Sequence, residues 1–276
     1  MNLVLDEALA AQVRQIAEHA GRAIMEIYDA GFEVFEKDDR SPLTAADLAA
    51  HRLICEALLK LTPHIPVLSE ESAAASIERR REWTQFWLVD PLDGTREFVK
   101  RNGEFSVNIA LVENHRSVLG VVHAPVPGYS CVGAMGLGAR RHERDGSHRA
   151  IHVAEQRHRE LRVAGSRSHA DRRLLDVLER IGTHTLCPMG SALKFCLIAG
   201  GEADVYFRFG PTSEWDTAAG QAVVEAAGGR VTDMYLRALR YNQRDTLLNP
   251  DFLAFADDDA PWQKWIGSAH VASNDE

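Results

Sequence analysis

The chain has 276 residues, of which 45% are hydrophobic and 26% charged, and its formal net charge is −9. That balance suits a folded protein of one large domain or two smaller ones. It argues against a long nucleic acid as partner, because binding many phosphates requires a basic face; a small anionic substrate stays compatible where bound cations and local Lys or Arg supply positive charge. The four cysteines, Cys55, Cys131, Cys187 and Cys196, form no CxxC pair and no zinc-finger spacing, and read as reduced thiols of a cytoplasmic protein. Met1 to Arg22 lacks the apolar core of a signal peptide, and no apolar run is long enough to span a bilayer. The expected location is the cytoplasm, with membrane contact at most peripheral, on the cytoplasmic face of the inner membrane.

In chain order, residues 9–28 place Val13, Ile16, Ala17, Ala20, Ile24 and Ile27 at helical spacing, and residues 47–61 do the same with Leu48, Leu53, Ile54, Ala57 and Leu58 before Pro63. Thr44 and Asp47 resemble a capping box with Asp in place of Glu. The two helices are expected to form one layer. Phe86-Trp87-Leu88-Val89 reads as a buried strand stopping at Asp90-Pro91, since Pro cannot donate to a ladder. Residues 105–112 and 117–123 read as a hairpin, and residues 133–152, rich in Gly, Arg and His, as an edge loop or hairpin near a domain boundary. From Leu161 onward strands (161–164, 184–187, 203–209, 230–232) alternate with helices (171–181, 192–199, 216–227), the rhythm of an α/β second half. The expected domains are 1–150, 151–256 and a loosely held tail, 257–276.

The most informative segment is Trp87-Leu88-Val89-Asp90-Pro91-Leu92-Asp93-Gly94-Thr95. A buried strand delivers Asp90 and Asp93 onto a turn where Gly94 permits unusual backbone angles, and Thr95 opens a short helix. Oxygen donors from Asp90, Asp93 and the Leu92 carbonyl suit Mg²⁺. Glu70-Glu71 follows the apolar run ending at Leu68, and Asp216 stands at the start of a helix, the N-cap position that favours a carboxylate. Each element alone has a bland explanation, as a turn, a solvated pair or a cap; the three together, all at strand ends or helix starts, point to one acidic site.

Glu70-Glu71, Asp90-Pro91-Leu92-Asp93-Gly94-Thr95 and Trp215-Asp216-Thr217-Ala218-Ala219-Gly220 resemble the motifs of the inositol monophosphatase superfamily of lithium-sensitive, Mg²⁺-dependent phosphatases, over roughly residues 37–256. Gly94-Thr95-Arg96-Glu97-Phe98, the run from Asn102 to Ala110, Gly190-Ser191-Ala192-Leu193-Lys194-Phe195-Cys196 and Arg208-Phe209-Gly210-Pro211-Thr212 resemble its CysQ-type branch, the bacterial 3′(2′),5′-bisphosphate nucleotidases. Residues 37–47 look like that family's N-terminal active-site loop. The resemblance implies an α/β fold with an α+β N-terminal half, layered as the αβαβα sandwich of the inositol monophosphatase and fructose-1,6-bisphosphatase type.

The resemblance also implies roles. Glu70, Asp90, the Leu92 backbone, Asp93 and Asp216 would hold two or three Mg²⁺ ions. Asp47 and Thr95, with Glu70, would orient and deprotonate a water for in-line attack on phosphorus. Glu70, Leu92, Asp93, Gly94, Thr95 and Asp216 would surround the substrate phosphate, with backbone N–H groups of Gly94 and Thr95 cradling it. His169, Ser191, Lys194 and Arg208 would contact the nucleotide, Lys194 and Arg208 neutralising its 5′-phosphate. The implied partner is a small bisphosphorylated nucleotide, adenosine 3′,5′-bisphosphate or its sulfated counterpart, and the implied state a monomer or homodimer. An inositol-phosphate or sugar-phosphate phosphatase on the same core is the nearest alternative; a non-catalytic nucleotide- or metal-binding regulator is the alternative of another class.

Overall fold

The computed structural model describes residues 3–36, 42–72, 78–155, 160–165, 171–256 and 258–267. Residues 37–41 of the expected N-terminal loop, 37–47, and His169 with the 166–168 segment before it therefore lie outside the described residues.

Helix α1 (Glu7–Ala30) starts where the Asp6 side chain accepts from the Leu9 N–H at 2.8 Å, and it ends at Gly31, whose φ is 91°. Two short strands, β1 (Val34–Glu36) and β2 (Pro42–Thr44), pair antiparallel before helix α2 (Ala45–Leu61). The expected capping box is formed, with Thr44 N–H donating to Asp47 Oδ2 at 2.7 Å. The apolar stripes of α1 and α2 cover one face of a seven-stranded sheet, burying Val13, Ala17, Ile24, Ile54 and Leu58 against Trp87, Val89, Ile109 and Val121.

That sheet takes its strands in chain order: β3 (Val67–Ser69), β4 (Gln85–Asp93), β5 (Ser106–Glu113), β6 (Arg116–Ala124), β7 (Tyr129–Ala134), β8 (Gly138–His142) and β9 (His148–Ile151). β3 runs parallel to β4, and the later neighbours are antiparallel. One expectation is corrected here and one is decided. The strand read as ending at Asp90 continues to Asp93, because the register against β5 shifts between those two residues, and a bulge is where a sheet accommodates a proline. The segment 133–152, read as an edge loop or hairpin, is the hairpin: it supplies the end of β7 and all of β8 and β9, which pair antiparallel at the sheet edge.

Helix α3 (Thr95–Val99) follows the bulge, and β10 (Leu161–Gly165) opens the second half. After it come α4 (Arg172–Ile181), β11 (His184–Pro188), α5 (Leu193–Ala199), β12 (Val205–Arg208), α6 (Glu214–Ala226), β13 (Arg230–Asp233), β14 (Phe252–Phe255) and α7 (Trp262–Ile266). The five-stranded sheet has the order β11-β10-β12-β14-β13. β10 pairs in parallel with β11 and β12 as the βαβ rhythm requires, whereas β14, which the sequence did not reveal, enters antiparallel between β12 and β13. Trp262 packs on Phe207 and Phe255. That seating docks residues 262–266 on the second sheet; residues 268–276 lie outside the description.

α5 and α6 fill the space between the sheets. Phe195, Ile198, Ala218, Ala219 and Val223 meet Leu88, Ala110 and Val122 of the first sheet and Tyr206, Phe252 and Ala254 of the second. The far face of the second sheet buries Val163, Phe207 and Leu253 against α4 and α7. The result is the expected five-layer αβαβα arrangement. α6 approaches the first sheet at backbone distance: a Cβ on Gly120 would stand 2.2 Å from Ala219 O, and one on Gly133 2.5 Å from Val223 Cα.

Candidate active site

The ends of β3 and β4 place the first acidic groups. The Glu70 N–H donates to Val89 O at 3.1 Å, so Glu70 leaves β3 beside the last residues before Asp90. The bulge then carries Asp90, opposite Asn108, and Asp93, opposite Ser106, on one turn. Gly94 closes that turn at φ 91° and ψ 39°; a Cβ there would stand 3.2 Å from both Glu104 O and Ser191 Cβ. Glycine answers both demands at once, the left-handed backbone and the close neighbours.

Asp47 and Thr95 meet across the chain. The Thr95 hydroxyl lies 3.3 Å from Asp47 Oδ1 and 3.2 Å from Leu92 O, two acceptors for its single proton. The opposite Asp47 oxygen accepts from the Thr44 N–H and hydroxyl, each at 2.7 Å. Burial raises the Asp47 pKa while the Thr44 hydrogen bonds oppose that rise.

The second half contributes the rest. Asp216 is not the N-cap of α6, as the sequence suggested; Ser213 is, and Asp216 is the third helical residue, accepting from the Ser213 N–H at 2.9 Å. A capping box places the acid one turn in, aimed back at the helix start. The Ala192 N–H donates to Asp93 Oδ2 at 2.5 Å, joining the turn before α5 to the bulge. Ser191, at φ 45°, makes that approach, and Ser106 Oγ lies 3.3 Å from its hydroxyl.

These carboxylates share one field. Burial raises the Asp90 pKa well above the usual carboxylate range, and Glu70, Asp93 and Asp216 add to the rise. Asp216 is pushed up to about 8 by burial and then by the Asp93 charge. Asp93 is raised by burial, an effect opposed chiefly by Lys194. One oxygen each of Asp90, Asp93 and Asp216 is held by a backbone N–H, from Leu92, Ala192 and Ser213. Among the described residues no three His, Cys, Asp or Glu side chains already meet at coordinating distance. The donor set nonetheless fits a hard divalent cation: it is all oxygen, acidic, partly desolvated and mutually repulsive, so added positive charge reverses each of these shifts.

Asp93 and Asp216 open into a cavity of about 290 Å³ that Gly94, Ser191, Lys194 and Arg208 also line. Lys194 is buried, and its Nζ donates to Ser191 O at 2.6 Å and lies 5.1 Å from the Tyr206 ring centroid. Burial lowers its pKa to about 8, with Asp93 resisting the fall. Arg208 donates from Nη2 to Pro211 O at 3.2 Å, while its Nε is buried without a partner among the described residues. The cavity thus joins an acidic wall to a basic one. Arg96, on the helix that Thr95 opens, and Lys100, which caps its end, also line it and were missed from sequence; their four-residue spacing was the available signal.

A sandwich of this layering, with paired acids on a strand-ending bulge and a third acid on a buried helix, defines a class of metal-dependent phosphatases. The chain belongs to the inositol monophosphatase family, whose model matches residues 5–264. Over 243 residues it is 51% identical to the 3′(2′),5′-bisphosphate nucleotidase CysQ of Salmonella typhimurium, covering 87% of this chain and 97% of that protein. The Escherichia coli K12 protein of the same name is 49% identical over equal shares. The crystal structure of CysQ from Bacteroides thetaiotaomicron, a bacterial member of the family, superposes with a TM-score of 0.79 at 39% identity, covering 91% of this chain and 97% of that one. No helix among the described residues is long and apolar enough to cross a membrane.

Proposed function

We propose that this chain is a Mg²⁺-dependent phosphatase that removes the 3′-phosphate of adenosine 3′,5′-bisphosphate, giving AMP and phosphate. The relatives named above carry that class of activity in their names. What supports it most in the geometry is the single cavity with an acidic wall, Asp93 and Asp216, facing a basic one, Lys194 and Arg208. The first suits cations over a scissile phosphate and the second suits another phosphate on the same molecule, which inositol monophosphate lacks.

Glu70, Asp90, Asp93, Asp216 and the Leu92 carbonyl would hold two or three Mg²⁺ ions. When bound, these supply charge neutralisation at the phosphate and a more acidic water. Thr95 takes the proton of the attacking water as its own proton passes to Asp47 Oδ1, an acceptor already 3.3 Å away. Oxygen bonds to phosphorus, the bond to the ribose 3′ oxygen breaks in line, and that oxygen takes a proton from a solvent water, the hydroxide so formed being neutralised by the proton that Asp47 received. The Gly94 and Thr95 N–H groups steady the phosphate, and Ser191, Lys194, Arg208 and His169 take the nucleotide.

The test is phosphate release from adenosine 3′,5′-bisphosphate and from myo-inositol phosphate, each with Mg²⁺ and with a chelator. The expected result is Mg²⁺-dependent release with at least about tenfold preference for the nucleotide. Preference for inositol phosphate would assign the chain to the sugar-phosphate branch, and nucleotide binding without release would make it a regulator.

A further inference from the structure

The acidic site is not the only place where charged groups are buried. Arg80, in the turn that leads into β4, is 2% exposed, and Glu214, two residues before Asp216, is fully buried. Residues 241–249 run between them as a strap. Arg80 donates from Nη1 to Asn242 Oδ1 at 2.6 Å and from Nη2 to the carbonyls of Arg244 and Asp245 at 2.8 and 2.7 Å. Asn242 answers with its own amide, donating to Arg80 O at 2.6 Å. Its backbone, at φ 58°, turns the N–H toward Glu214 Oε2, 2.8 Å away.

The strap then closes on the start of α6. Leu247 O accepts from the Glu214 N–H at 2.8 Å, and Asn249 donates to Ser213 O at 2.7 Å. Ser213 is the residue whose N–H holds Asp216 Oδ2. The peptide that carries the Ser213 N–H is held by the strap as well, since the Asn249 N–H donates to Thr212 O at 2.8 Å, and the strap is fixed by Arg80. Arg80 in turn sits at the entry to the strand that delivers Asp90 and Asp93. One guanidinium thus couples the two elements whose acids must converge.

We infer that Arg80 and Asn242 are positioning residues for the cation site, acting through the strap, Glu214 and Ser213 on Asp216; this rests on the metal reading proposed above. A lysine cannot replace the fork, since an ammonium lacks the planar geometry that serves three acceptors spread over this strap. Groups that orient metal ligands typically change metal affinity by about tenfold or more when removed.

The test uses the purified full chain. Mg²⁺ binding is measured by titration calorimetry, and Mg²⁺ half-saturation and the nucleotide KM at saturating Mg²⁺ are measured in turnover. Asn242→Ala, which leaves both buried charges in place, and Arg80→Lys are compared with Asp204→Asn, which breaks the buried Arg162 pair in the second sheet, away from the acids. The expected result is that Asn242→Ala and Arg80→Lys weaken Mg²⁺ binding about tenfold and raise half-saturation to match, with KM within about twofold of wild type, while Asp204→Asn lowers only thermal stability. Wild-type Mg²⁺ affinity in Asn242→Ala, an equal loss in Asp204→Asn, or a shift in KM instead would overturn the positioning role. If Arg80→Lys does not fold, Asn242→Ala decides alone. A wild-type chain that takes no Mg²⁺ would remove the metal reading itself, and this inference with it.

Discussion

The first sheet buries ionisable groups on both of its faces, and it treats them in opposite ways. Under α1, His123 stands against Gly21, with its Nδ1 at 2.9 Å from Ser130 Oγ and Ser130 in turn at 3.3 Å from Glu18. Burial lowers that imidazole to about 4, so it stays neutral despite the nearby Glu18 charge. On the other face, toward α6, Asp90 is as deeply buried among acids of its own sign. The α1 side resolves burial by discarding charge. The cleft gathers acids that its own residues cannot keep charged together, an arrangement that added positive charge would relieve, which makes it the candidate place for an external cation.

The sharpest way to break this contrast is Asp93→Asn. It keeps an acceptor for the Ala192 N–H but removes one negative charge. Turnover should fall by on the order of 10³-fold, about 4 kcal/mol of transition-state stabilisation. The melting temperature should hold or rise as repulsion is relieved. Turnover within tenfold of wild type would refute the metal assignment.

His123 tests the quieter face. The unfolded chain takes up a proton near its ordinary pKa of 6.5, whereas the folded chain resists until about 4. Its stabilising contribution is therefore full above 6.5 and is lost as pH falls toward 4, by up to about 3 kcal/mol. Glu18 favours the charged form, and Arg22 and Arg14 oppose it. Denaturant unfolding of wild type and His123→Asn at pH 7 and pH 4.5 should show a shallower loss in the variant. Parallel losses would mean that other groups set the acid sensitivity.

Lys194 carries the smallest expected effect. It is a buried cation whose pKa Asp93 holds up, so it belongs to both walls of the cavity. Lys194→Ala should lower kcat/KM about tenfold more for adenosine 3′,5′-bisphosphate than for a 3′-monophosphate, in line with the loss of a charge-assisted hydrogen bond. Equal losses for both substrates would leave Lys194 as a brace for the Ser191 turn alone.

Local chemistry made the acids legible. Asp90, Asp93, Gly94 and Thr95 are neighbours in sequence, and Thr44 with Asp47 form a cap within one turn, so their arrangement needs no distant partner. What stayed hidden is non-local. Arg80 lies in a charged stretch that reads as solvated surface, and it is buried only because Asn242, 162 positions away, comes to meet it. β7 has Gly, Ser, Cys and Ala among its six residues and little strand propensity. β14 is a four-residue apolar run with nothing in it to announce an antiparallel insertion. Asp216 lies at the expected helix end but three positions further in than the N-cap role the sequence suggests, because Ser213, Glu214 and Trp215 precede it at the start of α6.

Gly120 and Gly133 have a further consequence. At these two positions main chain meets main chain with no side chain of the strand between, and those contacts bound how closely the helix that carries Asp216 approaches the sheet. No rotamer change at these two contacts can alter that limit. The tolerance of the acidic site is thus fixed by covalent geometry, and variation in the surrounding side chains can reshape what enters the cavity without moving the floor on which the chemistry stands.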